Sequence, residues 1–170
     1  MSKLNDLPQH YTSFAVEPYT PTIGATIHGL DLSKPLSDVT KAELKDALAR
    51  HEVIFFRDQN ITPAQQVEFT RIFGHVNEVK AFFPRVESQP EIEIVESTAE
   101  RPSAANNWHA DITWRDNPPV GTSLYAQVIP ASGGDTFAQF GMGCSGWNPS
   151  IAPWSDLLIS GSPFWVNGVW

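Results

Sequence analysis

A chain of 170 residues, 41% hydrophobic and 18% charged, has a globular composition and is long enough to bury a core of its own. Its net charge of −8, with no basic run, argues against a general binder of nucleic acid or of anionic membranes, because nothing is present to neutralise phosphates. The single cysteine, Cys144, excludes an intrachain disulfide.

Residues 1–12 read as a polar lead-in without an apolar signal core, and no stretch approaches the ~18 apolar residues of a membrane span. A cytoplasmic protein with no membrane partner is expected. Residues 14–18 alternate as a strand. Residues 21–32 read as a second strand, with Gly24 and Gly29 interrupting an Ile23/Ile27/Leu30 pattern. Thr40-Lys41-Ala42-Glu43 has the form of a capping box, and Leu44, Ala47, Leu48 and His51 follow at helical spacing. Val53-Ile54-Phe55-Phe56 is an apolar run too short for a helix and predicts a strand covered on both faces. Thr62-Pro63-Ala64-Gln65 is a second capping box with Pro at the first helical position. The predicted helix shows Gln66, Phe69 and Phe73 on one face and stops at Gly74.

Residues 76–85 are irregular. Residues 91–96 alternate strictly and predict a strand, 97–107 a polar loop, 116–119 a turn, and 122–129 another strand. Gly133-Gly134 fits a hairpin-like turn; with no Lys-Ser/Thr and no helix behind it, a phosphate loop is not indicated. Arg57-Asp58 reads as an ion pair or turn at a strand end, and His51 as a helix-end residue facing the core or the helix dipole. Strands following two early helices predict an α+β domain built on a β-sandwich or barrel.

Residues 137–170 differ in composition. All eleven Lys and Arg lie at or before Arg115, Asp156 is the one charge after Thr136, and four of the six tryptophans fall here. Exposed tryptophans without charge make a poor surface. The expected organisation is therefore a domain over 13–136 and an atypical tail over 137–170, read out of frame from near Phe140. The alternative is an apolar strand-and-loop end that is simply aromatic. Cys144 lies in this tail and is assigned no role.

The stretch with the clearest chemistry is Trp108-His109-Ala110-Asp111. In a strand, His109 and Asp111 point to the same face with Cα atoms ~6–7 Å apart, close enough to bend onto one ion. Two His and one carboxylate with open positions opposite is the arrangement of non-heme Fe(II) oxygenases. Taken alone, the pair also suits a His–Asp hydrogen bond at a polar strand end.

Several pieces in order resemble the TauD/TfdA family, the taurine dioxygenase-like oxygenases, over residues 21–136. They are Ile23-Gly24-Ala25 with Gly29-Leu30-Asp31-Leu32; His51-Glu52-Val53-Ile54-Phe55-Phe56-Arg57-Asp58-Gln59; the stretch from Thr62-Pro63 to Phe73-Gly74; Asn107-Trp108-His109-Ala110-Asp111; Pro118-Pro119 with Gly121; and Gly133-Gly134-Asp135-Thr136. The resemblance implies a double-stranded β-helix (jelly-roll) core with flanking helices, here C-terminally incomplete. It implies Fe(II) as metal, 2-oxoglutarate as cosubstrate, O2 and a small-molecule substrate, and it leaves homo-oligomerisation open. His109 and Asp111 would be two iron ligands, and Thr136 would hydrogen-bond the cosubstrate carboxylate; the other reading of Thr136 is a turn hydroxyl bonded to its own backbone. The implied reaction hydroxylates a substrate C–H while 2-oxoglutarate becomes succinate and CO2.

Around the substrate, the resemblance points to Phe83, where the family has a Tyr, and to Asn106 and Asn107. They adjoin Ala105, the position of the Asn that taurine-specific members carry. His75, Asn77 and Lys80 are the nearby polar candidates. The expected substrate is therefore an organic acid, sulfonate or sulfate ester rather than taurine in particular. The family's second His ligand and its 2-oxoglutarate-pairing Arg have no counterpart, since no His follows His109 and no Arg follows Arg115. The expectation is that the 170 residues do not turn over. The alternative to an oxygenase is a non-catalytic fragment or a weak metal- or partner-binding module. A metal hydrolase has little support, as no further His or carboxylate cluster follows.

Overall fold

The computed structural model describes residues 11–21, 23–76, 83–98, 100 and 121–128, and the backbone course of three further strands. The described elements are β1 (Ala15–Pro18), β2 (Ala25–His28), α1 (Asp38–His51), β3 (Val53–Phe56), α2 (Pro63–Thr70), β4 (Arg85–Val86), β5 (Gln89–Glu93), β6 (Gly121–Tyr125), β7 (Thr136–Gln139), β8 (Leu157–Gly161) and β9 (Trp165–Gly168). A five-stranded sheet has the order β1-β2-β3-β8-β6, and two small sheets pair β4 with β5 and β7 with β9.

The sheet is mixed. β1 and β2 form an antiparallel pair joined by a tight loop, which Tyr19 N–H closes onto the Gly24 carbonyl at 2.8 Å. Gly24 sits at φ +82°, a conformation open to glycine because it has no Cβ. β2 and β3 are parallel, so the chain must cross over between them, and α1 is that crossover. β8 then lies antiparallel to both β3 and β6. β8 and β9 fall in the aromatic stretch where neither helical nor strand period is visible in the sequence.

β3 is the hub. All four of its residues are buried, as its unbroken apolar run predicts. Ile54 and Phe56 join Phe14, Ile27, Leu32, Leu44, Ala47, Ile61 and Phe69 in the principal core beneath the helices. Val53 and Phe55 point the other way and pack with Ile23. Phe56, Leu44 and Ile54 are the largest fully buried side chains; each stabilises by roughly 1.5–3 kcal/mol through burial.

The helix termini correct part of the sequence reading. α1 begins at Asp38, not after Thr40: Ser37 is the N-cap, its hydroxyl accepting from Thr40 N–H at 3.1 Å. Thr40 is buried inside the first turn, and Glu43 turns instead to the N-terminal strap. Its carboxylate accepts from Thr12 N–H and Oγ1, both at 2.8 Å, and from Ser13 N–H at 3.0 Å. These donors, the Thr12 amide foremost, hold the Glu43 carboxyl down at about 2. The second capping box forms as expected, with Pro63 at the first helical position. α2 stops at Thr70 rather than running to Gly74. Phe73 N–H bonds the Thr70 carbonyl at 3.0 Å, so the chain tightens into three-residue turns. β5 and β6 are also shifted from the predicted 91–96 and 122–129, to Gln89–Glu93 and Gly121–Tyr125.

Candidate active site

The two candidate iron ligands, His109 and Asp111, lie outside the described residues, as do Asn106 and Asn107. Thr136 opens β7, its backbone opposite Gly168 of β9. Phe83 is 48% exposed and precedes Pro84, whose carbonyl accepts from Ile94 N–H at 2.7 Å. His75 is exposed just beyond α2. Among the described residues no three His, Cys, Asp or Glu side chains are grouped to hold a metal. As a donor set, an imidazole and a carboxylate two residues apart suit a divalent first-row metal such as Fe(II).

β6 leaves the segment that carries the candidate ligands and leads on to Thr136. Its last residue, Tyr125, packs on the principal core and donates its hydroxyl to the Gln59 carbonyl at 2.9 Å. The Gln59 carboxamide accepts from Leu32 N–H at 2.9 Å and donates to the Leu30 carbonyl at 3.1 Å and the Arg57 carbonyl at 2.8 Å. It therefore stitches the chain after β2 to the chain after β3. Sequence reading did not single out Gln59 or Tyr125. The available signal was Gln59 closing the Arg57-Asp58-Gln59 piece, directly after an αL residue, Asp58 at φ 54°. That conformation turns the chain at this strand end, one of the two readings of Arg57-Asp58.

On the sheet face opposite the helices, the Arg57 guanidinium lies 5.5 Å from the Phe55 ring centroid and 6.0 Å from that of Tyr19, and it hydrogen-bonds the Tyr19 hydroxyl. Thr26 donates to the same hydroxyl at 2.9 Å. Cation–π stacking and these bonds give this face a rigid polar cluster. At the end of α1, His51 is buried as expected. Its pKa is lowered by burial and then by the Arg50 charge, so its imidazole is held neutral.

The model of the family described as taurine catabolism dioxygenase TauD, TfdA matches residues 15–139, most of the chain. The chain belongs to the TauD/TfdA family. An alkylsulfatase of Acinetobacter baylyi is 36% identical over 119 residues, covering 69% of this chain and 36% of the relative. An alpha-ketoglutarate-dependent sulfate ester dioxygenase of Pseudomonas putida is 33% identical over 135 residues, covering 75% of this chain and 42% of the relative. The chain thus spans less than half the length of these curated relatives. The structure of a taurine dioxygenase from Burkholderia xenovorans superposes with a TM-score of 0.64 at 35% identity, covering 74% of this chain and 44% of that one. AAD-2 in complex with Mn(II) and N-oxalylglycine superposes with a TM-score of 0.56 at 26% identity, covering 75% of this chain and 43% of that one. Relatives named as alpha-ketoglutarate-dependent dioxygenases, the sulfate ester enzyme and a sulfonate dioxygenase of Saccharomyces cerevisiae among them, belong to a class that uses Fe(II) and 2-oxoglutarate. Among the described residues no helix is long and apolar enough to cross a membrane.

Proposed function

We propose that this TauD/TfdA chain carries the first part of an Fe(II)- and 2-oxoglutarate-dependent dioxygenase site, on a jelly-roll core, for a small organic sulfate ester or sulfonate. The observation that carries this reading is the family match over residues 15–139, which brackets His109, Asp111 and Thr136. His109 and Asp111 supply two ligands, Thr136 hydrogen-bonds the 2-oxoglutarate carboxylate, and Phe83, Asn106 and Asn107 face the substrate. When bound, the metal supplies O2 activation coupled to decarboxylation of 2-oxoglutarate. Sulfate esters are favoured over taurine because two relatives act in sulfate ester chemistry by name, and because Ala105 stands where an Asn would favour taurine.

A second reading also has an observation behind it. No His follows His109 and no Arg follows Arg115 in these 170 residues, so the second His ligand and the 2-oxoglutarate-pairing Arg that the family resemblance implies have no counterpart in them. By themselves the 170 residues act as a weak metal-binding module. The test uses purified chain of confirmed mass with Fe(II), 2-oxoglutarate, O2 and a medium-chain alkyl sulfate, with succinate as readout. Mn(II) binding is followed in parallel by electron paramagnetic resonance. The expected result is weak Mn(II) binding that His109→Ala and Asp111→Ala abolish, with succinate no higher than the metal-only blank. Alkyl-sulfate-dependent succinate would overturn the non-catalytic reading of the isolated chain. Mn(II) binding that ignores both substitutions would overturn the ligand assignment.

A further inference from the structure

We propose that Gln59 and Tyr125 are a positioning pair that holds β6 in place between the candidate ligands and Thr136; this rests on the iron and 2-oxoglutarate reading above. The half-buried Gln59 carboxamide uses both of its donors and its acceptor, on Leu30, Arg57 and Leu32. Leu32 N–H can only donate, so the amide orientation is fixed by its partners. The loop leaving β3 is thereby locked to the loop leaving β2. Tyr125 then reaches this locked loop from a residue 66 positions away, its hydroxyl 2.9 Å from the Gln59 carbonyl.

The placement of β6 gives the bond its consequence. Among the described strands β6 lies at the edge of the sheet, its ladder being to β8. The Tyr125 hydroxyl fixes the end of β6 directly to the N-terminal half of the sheet, while its ring packs on the principal core. In the chain, β6 begins after Asp111 and ends before Thr136. The anchored strand thus lies in the chain between the two candidate ligands and Thr136, starting ten residues after Asp111 and ending eleven before Thr136. Neither Gln59 nor Tyr125 is assigned contact with metal or substrate; both act through the backbone they hold.

The test is Tyr125→Phe, which keeps the ring and removes the hydroxyl. Tyr11→Phe, which removes a comparable hydroxyl bond to Asp46 at 2.8 Å on the strap, is the control. Three quantities are measured on the whole chain: the urea midpoint, amide exchange over residues 121–125, and Mn(II) affinity in the presence of 2-oxoglutarate. Tyr125→Phe is expected to speed exchange in β6 and to weaken Mn(II) binding about fivefold, the share of one hydrogen bond. Tyr11→Phe is expected to leave both unchanged. Wild-type exchange and affinity in Tyr125→Phe would overturn the proposal, and so would equal changes in the two variants. If the wild-type chain shows no Mn(II) binding that His109→Ala removes, the iron reading fails, and the exchange comparison then decides the pair by itself.

Discussion

Glu52 ends α1 in the left-handed region, at φ 61°, with its N–H bonded to the Leu48 carbonyl at 2.8 Å. Helices commonly end in this conformation, and glycine is its usual occupant. A side chain there costs roughly 1–2 kcal/mol, whereas glycine gives back roughly 0.4–1 kcal/mol through a freer unfolded chain. Glu52→Gly should therefore stabilise the protein by about 0.5–1 kcal/mol, raising the urea midpoint by roughly 0.3–0.5 M. The carboxyl adds a pH signature. Burial raises the Glu52 pKa, so its favourable contribution is present below the ordinary glutamate value and is lost as pH rises through the folded value. The advantage of Glu52→Gly should accordingly be larger at pH 7 than at pH 4. Glu52→Ala separates the two causes, since it removes the carboxyl and keeps the Cβ. Urea titrations followed by far-ultraviolet circular dichroism at both pH values provide the assay. A lower midpoint for Glu52→Gly at both would refute the claim that this backbone is strained.

Two further perturbations test the N-terminal half. Gly24→Ala should destabilise by about 1–2 kcal/mol through its left-handed backbone. Gly29→Ala, at φ +86°, should cost about the same in thermal denaturation, because a Cβ at Gly24 would meet the Tyr19 ring at an ordinary contact distance of 3.4 Å and at Gly29 nothing lies within 4 Å. Glu43→Gln should loosen the strap at neutral pH. In the wild type the Thr12 and Ser13 amide resonances should shift as pH falls from the ordinary glutamate range to about 2. That window follows from a depressed carboxyl, whose stabilisation is present above the unfolded value and is lost on the way down. A pH-independent pair of resonances would refute the three-donor clamp.

What the sequence made legible follows the strength of the local signal. Val53-Ile54-Phe55-Phe56 was readable because a strand buried on both faces needs no alternation, and Thr62-Pro63-Ala64-Gln65 because cap, proline and Gln point to one terminus. Thr40 misled because Ser37 stands one turn earlier and takes the cap, while Glu43 is recruited by residues some 30 positions away, a tertiary contact that no local pattern encodes. The same reason hid Gln59 and Tyr125, which are joined across 66 residues. β8 pairs on both sides, with β3 and β6, and a strand so placed need not show the two-residue period of a half-exposed one. For the candidate site, residue types and order were readable, and His109, Asp111, Asn106 and Asn107 lie outside the described residues.

Among the described residues, every buried member of the principal core, from Phe14 to Phe69, comes from one contiguous early stretch of the chain. Synthesis runs from the N-terminus at roughly 5–20 residues per second, whereas helices and short strand pairs form in about microseconds. The 101 residues beyond Phe69 therefore occupy the ribosome for seconds after the last of these side chains has been made. β1, β2, α1, β3 and α2 have time to close during translation. β6 is made before β8, the strand that lies between it and β3, so these last two strands can join the sheet only once both have been made.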